Sequence, residues 1–98
     1  MRRVMVRYTV RSDRADENVG YVKAVYAQLA AEQPTGLRYA TFVLPDGVSF
    51  VHLATVEAAD NPLVKLAAFQ AFIAKIVDRC VEPPVTVELT EVGAYRFA

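Results

Sequence analysis

The sequence predicts a small α+β domain of βαββαβ type. Three observations carry that prediction: an alternating apolar run over residues 3–11, two stretches with helical apolar spacing, and two β-branched runs joined by turn residues. At 98 residues, a single domain over 1–98 is expected, since chains of this size hold one core.

In the first strand Val4, Val6, Tyr8 and Val10 alternate with Arg3, Met5, Arg7, Thr9 and Arg11, giving one buried face. Ser12, Asp13 and Asp16 are N-cap candidates, with Asp16 and Glu17 near the positive end of a helix dipole. Val19, Val22, Tyr26 and Leu29 then recur three and four apart, so a first helix is expected over 16–33, ended by Pro34-Thr35-Gly36. Residues 37–44 and 49–56 flank Pro45-Asp46-Gly47 and read as a β-hairpin. Asn61 is placed to cap a second helix and Pro62 sits where a missing N–H costs nothing. Leu66, Phe69, Ile73, Ile76 and Cys80 share one face of that helix, widened by Leu63, Phe72 and Val77, so it is expected over 62–81 and stopped by Pro83-Pro84. Alternation of Val85, Val87 and Leu89 with Thr86, Glu88 and Thr90 marks a final strand, extendable past a bend at Gly93 to Tyr95 and Phe97.

This order is the split βαβ, or ferredoxin-like, arrangement: two helices on one face of a four-stranded antiparallel sheet. The other face is left bare. With 54% hydrophobic residues the chain has more apolar material than such a monomer hides, so a homodimer through the sheet face is expected.

Composition narrows the function classes. Eleven basic residues balance eleven acidic ones, so no net field draws nucleic acid or an acidic membrane. Neither a signal-peptide apolar segment nor a membrane-spanning run is found, and a cytoplasmic protein is expected. The lone Cys80 forms no intramolecular disulfide and reads as inert packing. No metal-ligand spacing, P-loop, dinucleotide fingerprint or nucleophile motif occurs, so neither a metal nor a cofactor is expected.

His52 is the only histidine and the natural acid/base candidate. Its surroundings depend on the hairpin register. A two-residue turn sets Thr41 opposite His52 and makes a polar cluster with Tyr39, whereas a three-residue loop sets Ala40 there and buries His52 among apolar groups. Tyr39 is the second catalytic candidate. Tyr26, on the apolar stripe of the first helix, and Arg38 are ligand-binding candidates, the arginine for a carboxylate or phenolate. Arg7, Arg11 and Arg38 otherwise read as solvated, or as paired with Glu88 and Glu91.

Gly36-Leu37-Arg38-Tyr39, Asn61-Pro62 leading into Phe69-Gln70-Ala71-Phe72, and Glu82-Pro83-Pro84 through Gly93-Ala94-Tyr95-Arg96-Phe97 resemble the dimeric α/β-barrel superfamily, in particular small proteins related to antibiotic-biosynthesis monooxygenases. The resemblance spans nearly the whole chain. It implies two sheets packed face to face, a ligand cavity between sheet and helices, and cofactor-independent oxygenation of an aromatic or polyketide-like small molecule. Many relatives carry a tryptophan after the third strand and a histidine on the second helix. Here that stretch is Val56-Glu57-Ala58, the second helix has no histidine and the chain no tryptophan, which argues against haem chemistry. A non-catalytic small-molecule-binding or assembly module of the same fold is the alternative.

Overall fold

A computed structural model describes residues 1–97 of the chain. The elements run β1 (Arg2–Val10), α1 (Ala15–Glu32), β2 (Leu37–Val43), β3 (Ser49–Val56), α2 (Ala67–Ala74), α3 (Ile76–Arg79) and β4 (Cys80–Glu88), with 3-10 turns at Ser12–Arg14 and Pro62–Lys65. The strands order as β2-β3-β1-β4 and every pairing is antiparallel. This is the βαββαβ arrangement the apolar periodicities imply.

Pairing of Thr41 with His52 realises the first of the two registers. The connection is a four-residue loop, not a tight turn: Leu44 N–H donates to the Ser49 carbonyl, and Asp46 accepts from the amides of Val48 and Ser49 and from the Ser49 hydroxyl. A two-residue turn and a four-residue loop share a parity, so the same side chains face inward. Tyr8, Val10, Phe50, His52 and Ala54 are thereby buried on the helix side, beneath Val25 of α1 and Phe72 of α2.

The region after β3 departs from expectation. Asn61 does cap, its Oδ1 accepting from the Leu63 amide with Pro62 in the first turn. The segment it opens is not one helix over 62–81, however, but a 3-10 turn, α2 and α3, broken at Leu66 and Lys75, whose backbones leave the helical region. No proline or glycine marks either break. Gln28 of α1 supplies an acceptor to the Ala68 amide in the first turn of α2, and Arg79 donates to the Phe72 carbonyl near its end, so tertiary partners take over the orphan groups that a continuous helix would have paired. The shift in phase buries Leu63, Leu66, Phe72, Ile76 and Cys80 and leaves Ile73 and Val77 exposed, with Phe69 half-buried.

Cys80 opens β4 instead of ending a helix, and Pro83-Pro84 lies inside that strand instead of before it. An edge strand tolerates them. The β1–β4 register slips between Arg7 and Val10, opposite the prolines, as a bulge where donors are missing. Beyond Glu88 the chain is irregular, so the expected continuation through Gly93 to Tyr95 and Phe97 does not form. None of Ser12, Asp13 and Asp16 caps α1, which begins at Ala15 with no side-chain cap and ends at Glu32 on a left-handed Gln33. Glu88 and Glu91 pair with Arg2 and Arg3, not with Arg7, Arg11 or Arg38.

The open face carries Met5, Arg7, Leu53, Phe42, Val85 and Val87, as the register requires. Phe42 is 54% exposed and Val85 59%, an apolar surface without a helix over it. Among the described residues no helix is long and apolar enough to cross a membrane.

Candidate functional site

Beneath the helices, β1, β2, β3, α1 and α3 each send a polar side chain into the core. His52 projects from the middle of β3 and is 4% exposed. Its Nε2 lies 2.7 Å from Tyr8 Oη on the neighbouring β1. Its Nδ1 lies 2.5 Å from Tyr39 Oη and 3.1 Å from Thr41 Oγ1, both on β2. Both ring nitrogens are therefore engaged by hydroxyls. Tyr8 Oη also accepts from the Asn18 amide of α1 at 2.9 Å, and Asn18 Oδ1 accepts from Arg79 Nε at 3.2 Å. On the other side Thr41 Oγ1 is 2.8 Å from Tyr26 Oη.

The result is a continuous chain, Arg79–Asn18–Tyr8–His52–Tyr39 with Thr41 and Tyr26 at its end. Aromatic rings insulate it. Phe72 tilts over His52 at 5.4 Å between ring centroids, Phe50 stacks on Tyr8 at 5.5 Å, and Tyr26 stacks on Tyr39 at 5.3 Å. Arg79, with no exposed surface, lies over the Tyr21 ring at 4.4 Å and also faces Phe72.

Burial sets the protonation of this chain. Loss of water around His52 disfavours its cation and pushes its pKa down to about 4, so the imidazole is neutral at physiological pH. Burial likewise raises the phenol pKa values of Tyr8, Tyr39 and Tyr26, keeping all three hydroxyls protonated. The site is an uncharged hydrogen-bond chain with one cation at its inner end.

Cavities border the sheet on both faces. One of about 360 Å³ opens between α1 and β2, lined by Tyr26, Leu29, Ala30, Gln33, Pro34, Leu37 and Tyr39. It is a shallow, largely open cleft with a volume at the low end for small-molecule sites. His52 does not line it and reaches it through Tyr39. The other, about 710 Å³, lies on the open face between the sheet and the segment 89–97, and Arg38 belongs to it.

Three of the four sequence candidates, His52, Tyr39 and Tyr26, thus come together, while Arg38 stands on the opposite face of the sheet. Thr41 stands opposite His52 as the two-residue-turn register implied, whereas Tyr8, Asn18 and Arg79 were not singled out from the sequence. Asn18 did leave a signal, because it precedes Val22, Val25 and Leu29 at helical spacing as a polar residue on an apolar stripe. Arg79 left none, since its burial follows from the break at Lys75 and from the Arg11 amide donating to its carbonyl. Among the described residues no three His, Cys, Asp or Glu side chains gather as a metal site would require.

No family model and no curated protein matches the sequence. Solved structures do match in shape. An antibiotic biosynthesis monooxygenase is similar with a TM-score of 0.72 and 16% identity, covering 95% of this chain and 100% of its own. Rv0793 from Mycobacterium tuberculosis gives 0.72 and 16%, covering 95% of this chain and 96% of its own. A variant of SnoaB, a cofactor-independent oxygenase from Streptomyces nogalater, gives 0.69 and 17%, covering 97% of this chain and 96% of its own. The chain therefore shares, over nearly its whole length, the ferredoxin-like fold of the antibiotic biosynthesis monooxygenase-like proteins.

Proposed function

We propose that this protein is a cofactor-independent oxygenase of an electron-rich aromatic or polyketide-like molecule, bound in the cavity between α1 and β2. The observation that carries the reading is the pairing of that cavity with a buried, neutral proton chain: Tyr39 borders the cavity and is bonded to His52. The shared fold with a cofactor-independent oxygenase supports it.

A phenol or its keto tautomer would stack against Tyr26 and Tyr39, with its oxygen toward the Tyr39 hydroxyl. Tyr39 is the contacting catalytic residue. His52 stands behind it as acid/base partner: the proton that the substrate carbon loses is held by the Tyr39–His52 pair and returned to the oxygen that leaves as water. Dioxygen is the oxidant and the substrate supplies the electrons: a C–O bond forms at an activated CH2 carbon, then water leaves, so two hydrogens are replaced by one carbonyl oxygen. Anthrone, which carries such a carbon, is a suitable test compound. Dioxygen uptake with formation of anthraquinone supports the proposal, whereas binding without uptake supports a non-catalytic binding module. Tyr39→Phe is expected to lower turnover by about 10²-fold, the lower range for a lost proton-transfer group, with the melting transition little changed. Turnover equal to wild type would remove Tyr39 from the mechanism.

The same proposal includes a homodimer through the open sheet face. Phe42, Val85, Val87 and Leu89 are 54%, 59%, 43% and 40% exposed there, and a second copy would cover them. Sedimentation equilibrium at micromolar concentration is expected to give a dimer, and Phe42→Glu a monomer. A monomeric wild-type protein would contradict this part of the reading.

A further inference from the structure

Hydrogen positions along the buried chain follow from one residue that can only donate. A guanidinium has no acceptor, so the Asn18 atom 3.2 Å from Arg79 Nε is the carbonyl oxygen. The other Asn18 atom, 2.9 Å from Tyr8 Oη, is then the amide nitrogen and donates to it. Tyr8 Oη, already accepting, has a hydrogen to give, and His52 Nε2 at 2.7 Å takes it. That nitrogen is consequently bare and the ring proton resides on Nδ1. Nδ1–H points at Tyr39 Oη, 2.5 Å away, with Thr41 Oγ1 as a second acceptor.

We propose that Arg79 and Asn18 are positioning residues that lock His52 in its Nδ1–H tautomer and align every hydrogen of the chain from the buried guanidinium toward Tyr39. The aligned chain polarises from its cationic end, each bond strengthening the next. Tyr39 Oη spends a lone pair on Nδ1–H and keeps its own hydrogen for an acceptor. A ligand oxygen in the cavity takes it. The site thereby selects ligands that present a carbonyl, enolate or phenolate oxygen to Tyr39. A purely structural role is a poor account of Arg79: it is fully buried, and among the described residues no carboxylate lies at hydrogen-bond range and its Nη1 has no partner. A cation buried with two hydrogen bonds and two aromatic faces but no ion-pair partner is costly for packing alone. The ligand preference rests on the proposed function, while the tautomer does not.

Long-range 1H–15N correlation spectra of the ligand-free protein near neutral pH read the tautomer directly. The wild type is expected to show His52 protonated at Nδ1 and bare at Nε2. Asn18→Asp, nearly isosteric, can only accept: Tyr8 must then donate to Asp and accept from His52, so the tautomer is expected to flip to Nε2–H. The flip turns the Tyr39 hydrogen inward to Nδ1. Affinity for 1-naphthol is then expected to fall about tenfold, the equivalent of about 1.4 kcal/mol. An Nε2–H wild type, or an Asn18→Asp protein that keeps Nδ1–H, would overturn the inference. The wild-type spectrum decides even where the variant fails to fold. A protein with the expected tautomers that binds no naphthol keeps the inference and counts against the functional reading instead.

Discussion

Phe72→Ala is expected to lower the free energy of unfolding by about 3–5 kcal/mol, the usual range for truncating a buried phenylalanine. Phe72 is 5% exposed, and its ring lies against those of Tyr8, His52 and Phe69. It also lies under the Arg79 guanidinium, so its loss leaves both a cavity and a less shielded cation. The loss is a large share of the roughly 5–15 kcal/mol that holds a domain together. Phe69, half-buried, is expected to lose less on the same substitution, because part of its ring already meets water. Urea denaturation of both variants checks the order, and a greater loss at Phe69 would place Phe69, not Phe72, at the centre of the core.

Stability is expected to fall as pH drops from about 6.5 to about 4, with His52 as a principal cause. In the unfolded chain the imidazole binds a proton below its ordinary pKa near 6.5. In the folded protein burial holds it neutral until about pH 4. Between these values the unfolded state binds more protons, so acid favours unfolding. The full effect approaches about 3 kcal/mol, from about 1.4 kcal/mol per pKa unit, and is complete below pH 4. The sign is opposite to that of a histidine stabilised as a cation. Urea titrations at stepped pH on wild type and His52→Asn give the difference. Equal slopes for the two proteins across this window would show that His52 titrates in the folded state as it does in the unfolded one.

How much of this was legible in the sequence differs by element. β1, β2, β3 and α1 follow from local periodicity, and a one-residue displacement at their ends leaves the inward faces unchanged, whereas β4 begins five residues before the alternation at Val85. His52, Tyr39 and Thr41 were readable as one cluster once the hairpin parity was considered. The second helical region was not readable in the same way, because its breaks are made by Gln28 and Arg79, side chains forty residues and seven residues away from the groups they satisfy. Pro83-Pro84 misled for a related reason: a proline pair ends a helix in isolation, but on an edge strand its missing donors face no partner. The inner half of the site depends on that same misread stretch. Arg79 reaches Asn18 only because α3 ends there and the chain turns at once into β4, a consequence of topology rather than of local pattern.

A phenolic ligand is expected to occupy the cavity between α1 and β2 with its oxygen at Tyr39. Titration of 15N-labelled protein with 1-naphthol, which stacks as a phenol but offers no CH2 carbon to oxidise, tests this most directly. Shift changes are expected to concentrate at Tyr26, Leu29, Ala30, Leu37 and Tyr39, with a response at the His52 ring nitrogens and loss of that response in Tyr39→Phe. Changes confined to the open face, around Arg38, Phe42 and Leu53, or no changes at all, would contradict it.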